Sequence, residues 1–352
     1  MSLARVVYTT IDDFLRGDVP VIFRKRRFLA MLEEYKRVVF NCSGKQLNWK
    51  PRIYRNRTQG ITDGTTVAFP QVNRHTEATL PYRGYVLSES ITKMERLMNR
   101  GAPAIIKIYM DLTRMMLEDF RDDLCPNLIN VDGNAAGSTL KMHGLESFLS
   151  QSGSVTNGIA VNNDTYAGLA TALAGLGGSW TGTWPAGYGD SEYDAWSPLN
   201  LDYNDTAWTG TATWVSDCVN VLRFGITSAQ RNAEHLDTIL LERSLYNDLL
   251  NTVDANERIM VSRAPESSRM VRMGFHDVIN IDGTDVSWED GLTANTGYGV
   301  TWDRMELCSM QSQLIVTEKD VDLPSFSSRF ALDCYGNLRV DSPKYFLKIQ
   351  SI

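Results

Sequence analysis

The sequence predicts a mixed α+β protein. Three observations support this class: an apolar stripe at helical spacing over 102–125, β-prone alternation within 49–88, and a strand-rich C-terminal region over 270–352. The chain has 352 residues, of which 43% are apolar and 22% are charged. This length and composition predict about two domains with a buried core, and they exclude a disordered, a collagen-like or a disulfide-framework protein.

Residues 1–48 are interpreted as an N-terminal arm with helical pieces. After the run Arg24-Lys25-Arg26-Arg27, apolar residues recur at helical spacing, namely Phe28, Leu29, Leu32, Tyr35 and Val39. The apolar content is too low for the arm to fold alone. We therefore expect it to lie on its own body or on a neighbouring molecule.

Residues 49–88 are predicted to form a long β-hairpin that turns at Asp63-Gly64, since Gly tolerates the positive φ of a tight turn. Pro70 and Pro81 favour edge strands. A hairpin this long and polar is marginal in isolation, so we expect it to project and to pack on another molecule.

The helical pattern of 102–125 is the clearest in the chain, and we expect Pro126 to end that helix. A shorter helix over about 88–100, ending at Gly101, is predicted to precede it. A further helix is predicted at about 213–231 with Thr213 as its cap.

The C-terminal part of the chain is predicted to alternate short strands with one more helix. A buried strand is expected at 238–241, followed by a helix through Leu245, Leu249 and Leu250. Asp282-Gly283 is expected to turn a hairpin between the flanking strands.

Charge is sorted along the chain. Residues 1–60 hold 13 Lys or Arg against 5 Asp or Glu, whereas 142–222 hold eight carboxylates and no Lys or Arg. The formal net charge of −7 is therefore the remainder of a cationic N-terminal part and an anionic body. The acidic chain is not typical of a dedicated nucleic-acid binder, and the basic cluster is better interpreted as pairing with an acidic protein surface.

The sequence contains few patterns that indicate catalysis. The four His have no partner at metal-ligand spacing, and phosphate-binding and nucleophile-turn motifs are absent, so we expect no catalytic residues, metal or cofactor. The strongest enzyme candidate is Asp190, Glu192 and Asp194 beside aromatic residues of the 180–196 segment. Three interpretations stay open: a glycosidase carboxylate pair, a site for a hard cation, or a solvated acidic loop, which we favour.

The sequence predicts neither a membrane span nor a secretory signal, because long apolar runs are absent and Asp12 and Asp13 interrupt the N-terminus. The five Cys are widely spaced and odd in number, which favours buried free thiols in a reducing cytosol.

The order of these elements resembles the major capsid proteins of tailed bacteriophages, with the Hong Kong ninety-seven-type fold. Short segments carry the resemblance by their order and spacing: Thr62-Asp63-Gly64-Thr65-Thr66-Val67-Ala68-Phe69-Pro70, Val131-Asp132-Gly133-Asn134, His143-Gly144-Leu145, the run 236–246, and Tyr335-Gly336-Asn337-Leu338-Arg339-Val340. The resemblance covers the chain from about residue 38 to its end.

The resemblance implies the organisation of that fold. The N-terminal arm would be 1–48 and the extended loop 49–88. The peripheral domain with its long spine helix would be 89–134, the axial domain 135–265, and 266–352 would mostly return to the peripheral domain.

The resemblance also implies a structural protein and no enzyme. Its subunits would form hexamers and pentamers of an icosahedral virion head, assembled in the host cytoplasm around double-stranded DNA that is contacted non-specifically. Scaffolding, portal and decoration proteins are expected partners, and a membrane is not. Assembly should depend on ionic strength. The candidates for intersubunit contacts are Arg24, Arg26, Arg27, Arg52, Arg55, Arg57, Asp63, Gly64 and Arg74.

Two departures from the family pattern lead to further expectations. Residues 51–92 contain no Lys, so we expect no isopeptide cross-link and a single denatured band near 39.5 kDa. About 48 residues precede the hairpin, so we expect a separate scaffolding protein, or none, instead of a cleaved N-terminal segment.

Two alternatives remain at this point. The first is a cellular encapsulating shell of the same fold. The second is a carbohydrate-active or glycan-binding protein that uses the 180–196 segment.

Overall fold

The computed structural model of the chain describes residues 24–52, 58–69, 71, 75–98, 102–162, 164–171, 196–230, 234–255, 262–263, 268–275, 277–322 and 327–352. Seven α-helices lie within these ranges: α1 Arg27–Glu34, α2 Lys93–Met98, α3 Ala102–Asn130, α4 Glu146–Leu149, α5 Trp214–Ala229, α6 Arg243–Ala255 and α7 Arg269–Arg272. Two short 3-10 helices, Trp302–Arg304 and Pro343–Tyr345, accompany them.

The described strands come in chain order as β1 Val38–Val39, β2 Gln46–Trp49, β3 Ala78–Pro81, β4 Arg83–Thr92, β5 Gln151–Thr156, β6 Ile159–Asn162, β7 Thr165–Tyr166, β8 Leu169–Ala170, β9 Leu199–Asp202, β10 Thr238–Leu241, β11 Ser262–Arg263, β12 Ile279–Ile281, β13 Thr284–Trp288, β14 Thr296–Val300, β15 Met305–Ser309, β16 Val316–Asp322, β17 Ser327–Val340 and β18 Leu347–Gln350. The presence of many helices and strands in one chain confirms the mixed α+β class.

Two large sheets organise the molecule. A nine-stranded sheet has the order β11-β12-β13-β10-β14-β18-β9-β6-β5, with parallel pairing of β10 to β13 and of β18 to β9. A five-stranded sheet has the order β1-β15-β17-β16, and β4 also pairs with β17. The long strand β17 serves three neighbours, because its first half lies between β16 and β4 and its second half pairs with β15.

The apolar core has two parts that follow these sheets. One part joins α1, α3 and the five-stranded sheet, and Phe28, Leu117, Phe148 and Trp302 are completely buried in it. The other part packs α5 and α6 on the nine-stranded sheet. Burial of this apolar surface is the main favourable term for the fold.

The division expected at residue 265 does not follow the sheets. Strands β12, β13, β14 and β18 lie after that position, yet they pair in one sheet with β9 and β10 from before it. Strands β15 to β17 belong to the other sheet. The 266–352 segment therefore contributes strands to both large sheets.

Helix α3 is longer than predicted, and the expectation that Pro126 ends it is wrong. Pro126 lies inside the helix, which continues to Asn130. Leu128 and Ile129 are fully buried, and the Asn130 side chain donates to the Gly291 carbonyl at 2.6 Å. These tertiary contacts offset the hydrogen bond that a proline inside a helix removes.

The helix expected over about 88–100 is shorter in the structure, because residues up to Thr92 form β4 and α2 begins at Lys93. A capping box marks the change. The amide and hydroxyl of Thr92 donate to the Glu95 carboxylate at 2.9 and 3.0 Å, and the Glu95 amide donates to the Thr92 hydroxyl at 3.3 Å. The Thr92-x-x-Glu95 pattern is visible in the sequence and could have located this boundary.

Other local predictions are confirmed. Helix α5 begins after Thr213, although the Thr213 side chain makes no capping bond. Strand β10 occupies the predicted residues, and α6 follows it. Asp282 and Gly283, with φ of 49° and 89°, turn β12 into β13. These elements depend on local patterns, which a sequence displays directly.

Candidate assembly surfaces

The predicted hairpin is present in the described residues, and its base is the antiparallel pair β2–β3. A bridge joins Arg52 to His75 further out. Beyond that bridge, the Gln59 side chain replaces a strand partner: it donates to the Ala68 carbonyl at 2.9 Å and accepts from the Ala68 amide at 3.1 Å. Gln59 and Ala68 thus join the two sides of the hairpin close to its tip.

The tip turns where the sequence predicts. Gly64 has φ 81°, and the Thr65 amide donates to the Thr62 carbonyl at 3.1 Å. The Thr65 hydroxyl accepts from the Thr62 amide at 3.0 Å and lies 2.8 Å from the Thr62 hydroxyl. Side-chain bonds therefore close the turn without support from the body.

Three apolar side chains near the tip are exposed. Ile61 is 67% exposed, Val67 41% and Phe69 91%. Among the described residues, none covers the Phe69 ring, which is left almost entirely in solvent. Exposed apolar groups that lie close together mark surfaces for association.

The hairpin base rests on the β7–β8 turn. The Trp49 and Tyr166 rings lie 6.2 Å apart, and the Thr79 amide donates to the Ala167 carbonyl at 3.0 Å. The hydroxyl of buried Tyr166 donates to the Leu338 carbonyl at 2.9 Å, which ties this turn to β17. The hairpin is thus anchored at its base and exposed at its tip.

The segments around Gly133, His143 and Asn337, which carried the resemblance, meet at the hairpin base. The His143 amide donates to Oδ1 of Asn337 at 2.8 Å, and Nδ2 of Asn337 donates to the Pro81 carbonyl at 2.8 Å. The Arg83 guanidinium donates to the Gly133 carbonyl at 2.8 Å. We call these five residues the junction.

Close approach of neighbouring atoms favours glycine at positions 133 and 336. A Cβ on Gly133 would lie 2.6 Å from the Arg83 guanidinium and 2.7 Å from the His143 ring, and a Cβ on Gly336 would lie 2.2 Å from the Cys308 carbonyl oxygen. His143 is buried, and burial together with Arg83 lowers its pKa to about 4. Its neutral ring, 3.1 Å from the Ser147 hydroxyl, therefore has a structural role.

Asp164, directly before β7, is a half-buried carboxylate that sequence patterns did not single out. Oδ1 accepts from the Thr165 amide at 2.6 Å, and Oδ2 is buried without a hydrogen-bond partner among the described residues. The pKa of Asp164 is raised to about 7, mainly by burial and also by Asp132 and Glu146, while the hydrogen bond from the Thr165 amide and Lys348 oppose this rise. Nothing in the local sequence distinguishes this residue from a surface aspartate.

The shape of the described chain is known from other structures. Neither a protein-family model nor a curated protein matches the sequence. The cyanophage A-1(L) capsid is similar in structure, with 15% identity, a TM-score of 0.57 and 90% of each chain covered. The capsid of the native GTA particle has 10% identity and a TM-score of 0.56, covering 90% of this chain and 89% of that chain. The chain has the phage major capsid fold.

A third structure has the same fold, that of the phage G major capsid and decoration proteins, with 9% identity, a TM-score of 0.50, and 90% of this chain and 88% of that chain covered. The resemblance inferred from the sequence is thereby confirmed for the fold. Within that fold, the junction places the hairpin at the end of the five-stranded sheet.

Among the basic candidates, the structure separates Arg24 from Arg26 and Arg27. Arg24 is exposed and pairs with Glu33 at 3.1 Å. The Arg26 guanidinium, 15% exposed, lies 3.0 Å from the Asp122 carboxylate and 3.6 Å from Glu289. Arg26 is therefore engaged within its own chain.

Arg27 is also engaged within the chain. Its guanidinium lies 3.9 Å from the Trp288 ring centre and 5.1 Å from that of Phe275. The buried Glu289 carboxylate accepts from the Phe28 amide at 2.9 Å, and burial raises its pKa against the effect of the neighbouring cations. Both arginines therefore have partners within their own chain, which local sequence could not reveal because those acidic and aromatic residues are distant in sequence. A contact of Arg26 and Arg27 with a neighbouring subunit stays a prediction.

The other candidates fall into two groups, those on the described part of the hairpin and those outside the described residues. Arg52, Asp63 and Gly64 are exposed on the hairpin. The following candidates lie outside the described residues: Arg55, Arg57, Arg74, and the acidic trio Asp190, Glu192 and Asp194.

An acidic groove lies across β4, β16 and β17. Its cavity has a volume of about 580 Å³, and its lining includes exposed Glu89 and Glu318 together with Ser88, Ser90 and Arg329. Over the described ranges, His, Cys, Asp and Glu side chains form no group of three that could hold a metal ion. The helices of the same ranges include none with the length and apolarity of a membrane span.

Proposed function

We propose that this chain is the structural subunit of an icosahedral phage head, in which hexamers and pentamers enclose double-stranded DNA. The observation that carries the proposal is the hairpin tip. It exposes Phe69 and Ile61 at the end of an element whose described contacts with the body lie at its base, on a chain with the phage major capsid fold. A tile that overlaps its neighbours needs such a projection, whereas an isolated molecule gains nothing from it.

The hairpin also supplies charge for these contacts. Arg52 is exposed on it, and Arg55, Arg57 and Arg74 belong to the same segment. We propose that these arginines pair with carboxylates of the adjacent subunit, with the groove that contains Glu89 and Glu318 as the acceptor. Bidentate Arg–carboxylate pairs suit such contacts. Asp63 and Gly64 shape the turn that presents the tip.

The wider setting follows from the same role. The protein would reside in the virion shell after assembly in the host cytoplasm, with scaffolding, portal and decoration proteins as further partners. Residues 49–88 would act as the extended loop, α3 as the spine of the peripheral domain, and the part built around α5 and α6 as the axial domain. Contacts would be non-covalent, because the hairpin has no Lys for an isopeptide bond.

Electron microscopy of the purified full chain tests the proposal. The unaltered protein should form closed particles, and Ile61→Ser/Phe69→Ser should leave free subunits or capsomers. Leu140→Ser is the matched control, because Leu140 is 84% exposed but lies on the α3–α4 loop; it should still assemble. An unaltered protein that stays monomeric under all assembly conditions contradicts the proposal.

The contents of the particles and their response to salt test the finer claims. Particles from the natural host should contain double-stranded DNA; particles filled with an enzyme would indicate a cellular encapsulating shell instead. Assembly yield should change between low and molar salt, since exposed charge pairs are screened. A yield that is indifferent to salt contradicts the arginine–carboxylate contacts.

A further inference from the structure

Two cysteines meet where the N-terminal segment joins the five-stranded sheet. Strand β1 is held there by two residue pairs, Val38 with Leu307 and Val39 with Cys308. Asn41 then takes a left-handed backbone conformation with φ 57°. This turn brings the chain back to β15.

The turn places Cys42 beside β15. The Cys42 amide donates to the Ser309 carbonyl at 2.9 Å, and the Asn41 amide donates to the Gln311 carbonyl at 3.1 Å. Cys308 is the residue directly before Ser309. Backbone hydrogen bonds therefore fix Cys42 next to Cys308, independently of their side chains.

The side chains meet as well. The Cys42 thiol is near enough to Cys308 to raise its pKa, and both thiols lie near Tyr82. Cys308 is 2% exposed, whereas Cys42 is half-buried and reaches solvent. Both are free thiols. A disulfide requires cysteines whose backbones are already close, and the bond from the Cys42 amide to the carbonyl of Ser309, the neighbour of Cys308, brings the two backbones together.

The two thiols differ in reactivity. The pKa of Cys308 is raised to about 12, mainly by burial and also by the neighbouring Cys42, while Arg339 opposes both. Cys308 therefore stays protonated at neutral pH and is shielded from reagents. Cys42 is the thiol that meets an external oxidant first.

We propose that Cys42 and Cys308 are a redox latch: a small-molecule disulfide such as oxidised glutathione converts them to an intrachain disulfide that fastens the start of the hairpin to the five-stranded sheet. In the first step the Cys42 thiolate attacks one sulfur of the oxidant, forming a mixed disulfide and releasing one glutathione thiolate. Cys308 then loses its proton to solvent and attacks the Cys42 sulfur, which releases the second glutathione. The two protein thiols are oxidised, and one oxidant disulfide is reduced to two thiols.

The proposed disulfide lies where the N-terminal segment is attached to the five-stranded sheet by a short strand pair, β1 with β15. Strand β1 has two pairs, and the hairpin strand β2 begins four residues after Cys42. A covalent link there limits how far the hairpin base can lift from the sheet. If the proposed capsid function holds, the link would stay open in the reducing cytosol during assembly and close after release into an oxidising medium.

Thiol counting on the purified full chain tests the latch. After treatment with oxidised glutathione and denaturation, the five free thiols should fall to three, and peptide mapping without reduction should recover Cys42 joined to Cys308. Cys308→Ser should instead trap one glutathione on Cys42. Cys334→Ser is the matched control, because Cys334 is a buried thiol of the same sheet, and it should still lose two thiols.

Three results would overturn the latch: five thiols that persist in the unaltered protein, a glutathione adduct that remains on Cys42 beside an intact Cys308, or a disulfide that joins two chains. The intrachain bond forms within one subunit and needs no shell. Failure of the latch and failure of the capsid proposal are therefore distinguishable, because the first is measured by thiols and the second by particles.

Discussion

Helix α1 and the hairpin tip both lie within the first 70 residues of the chain, yet they are in opposite environments. Helix α1 buries five successive side chains, Phe28 to Leu32, in the core. The hairpin tip leaves Ile61 and Phe69 in solvent. The sequence predicted that neither segment is stable alone, and it left open whether the N-terminal arm packs on its own body or on a neighbour; α1 packs on its own body.

This difference shows that polar contacts at the start of a segment, more than its apolar residues, decide whether the segment packs on its own subunit. Arg26, Arg27 and the Phe28 amide all converge on Glu289, which fixes the start of α1 against the loop after β13. The hairpin tip has no comparable acidic partner on the described body. A segment with such an anchor becomes part of the subunit, and one without it is available to a neighbour.

The largest expected effect tests the buried side of this comparison. Phe28 is completely buried, with its ring 5.5 Å from that of Trp302. Phe28→Ala should lower the free energy of unfolding by about 3–5 kcal/mol, through lost burial and a cavity, as measured by urea unfolding. The control Phe69→Ala should change it by less than about 0.5 kcal/mol, because that ring is already in water. Equal effects would abolish the distinction between the two segments.

A second prediction concerns the anchor. Glu289→Gln removes a buried negative charge from two arginines and should lower the free energy of unfolding by about 2–3 kcal/mol. Asp290→Asn, at the more exposed carboxylate next to it, should cost less than about 1 kcal/mol by the same urea measurement. If Glu289→Gln is neutral, packing alone holds α1 on the core.

A third prediction concerns Asp164, below the hairpin base, and the pH dependence of the free energy of unfolding. Because the pKa of Asp164 is raised to about 7 in the folded chain, its protonated form favours folding; that contribution is full below about pH 4 and is lost as pH rises through about 7. The unaltered protein should therefore lose stability between about pH 5 and about pH 8 relative to Asp164→Asn.

Urea midpoints at the two pH values provide this measurement. The exposed Asp111→Asn on α3 serves as its control and should keep the pH dependence of the unaltered protein. Parallel pH profiles for the unaltered protein and Asp164→Asn would show that Asp164 titrates as it does in the unfolded chain.

The smallest expected effect lies in the tip itself. Gly64 has φ 81° with open space around it, so Gly64→Ala should cost about 1 kcal/mol through backbone strain alone. Because the tip is remote from the core, the effect should appear as roughly fivefold faster amide exchange at Thr65, with the global unfolding transition unchanged. Gly60→Ala, where open space is present and φ is not positive, should leave the exchange rate as it was.

Local patterns predicted much of the fold. The stripe of α5, the buried run of β10 and the Asp-Gly turns at 63–64 and 282–283 each depend on neighbouring residues, and each was located. The spine helix was found but ended too early, because contacts with Gly291 and burial of Leu128 carry it past Pro126. Helix α2 was predicted to start at about residue 88, but it starts at Lys93. The prediction missed this boundary because the Thr92 capping box was not recognised.

The candidate site was predicted in part. The hairpin and its turn were anticipated, whereas the Gln59–Ala68 pairing and the convergence of His143 with Asn337, 194 residues apart in the sequence, were not. The partners of Arg26 and Arg27 within their own chain were not anticipated for the same reason. A charged side chain looks alike in sequence whether it faces water or a buried carboxylate.

The sequence by itself determined the class of the fold, the hairpin and its turn, and the order of elements that resembles a phage capsid subunit. Those features depend on spacing along the chain and on the backbone preferences of Gly and Pro. Tertiary structure alone decided which basic residues have partners within the subunit and how 266–352 is shared between two sheets. It also decided that Cys42 lies beside Cys308. These depend on residues distant in sequence coming together, and burial then sets the charge and reactivity of each group.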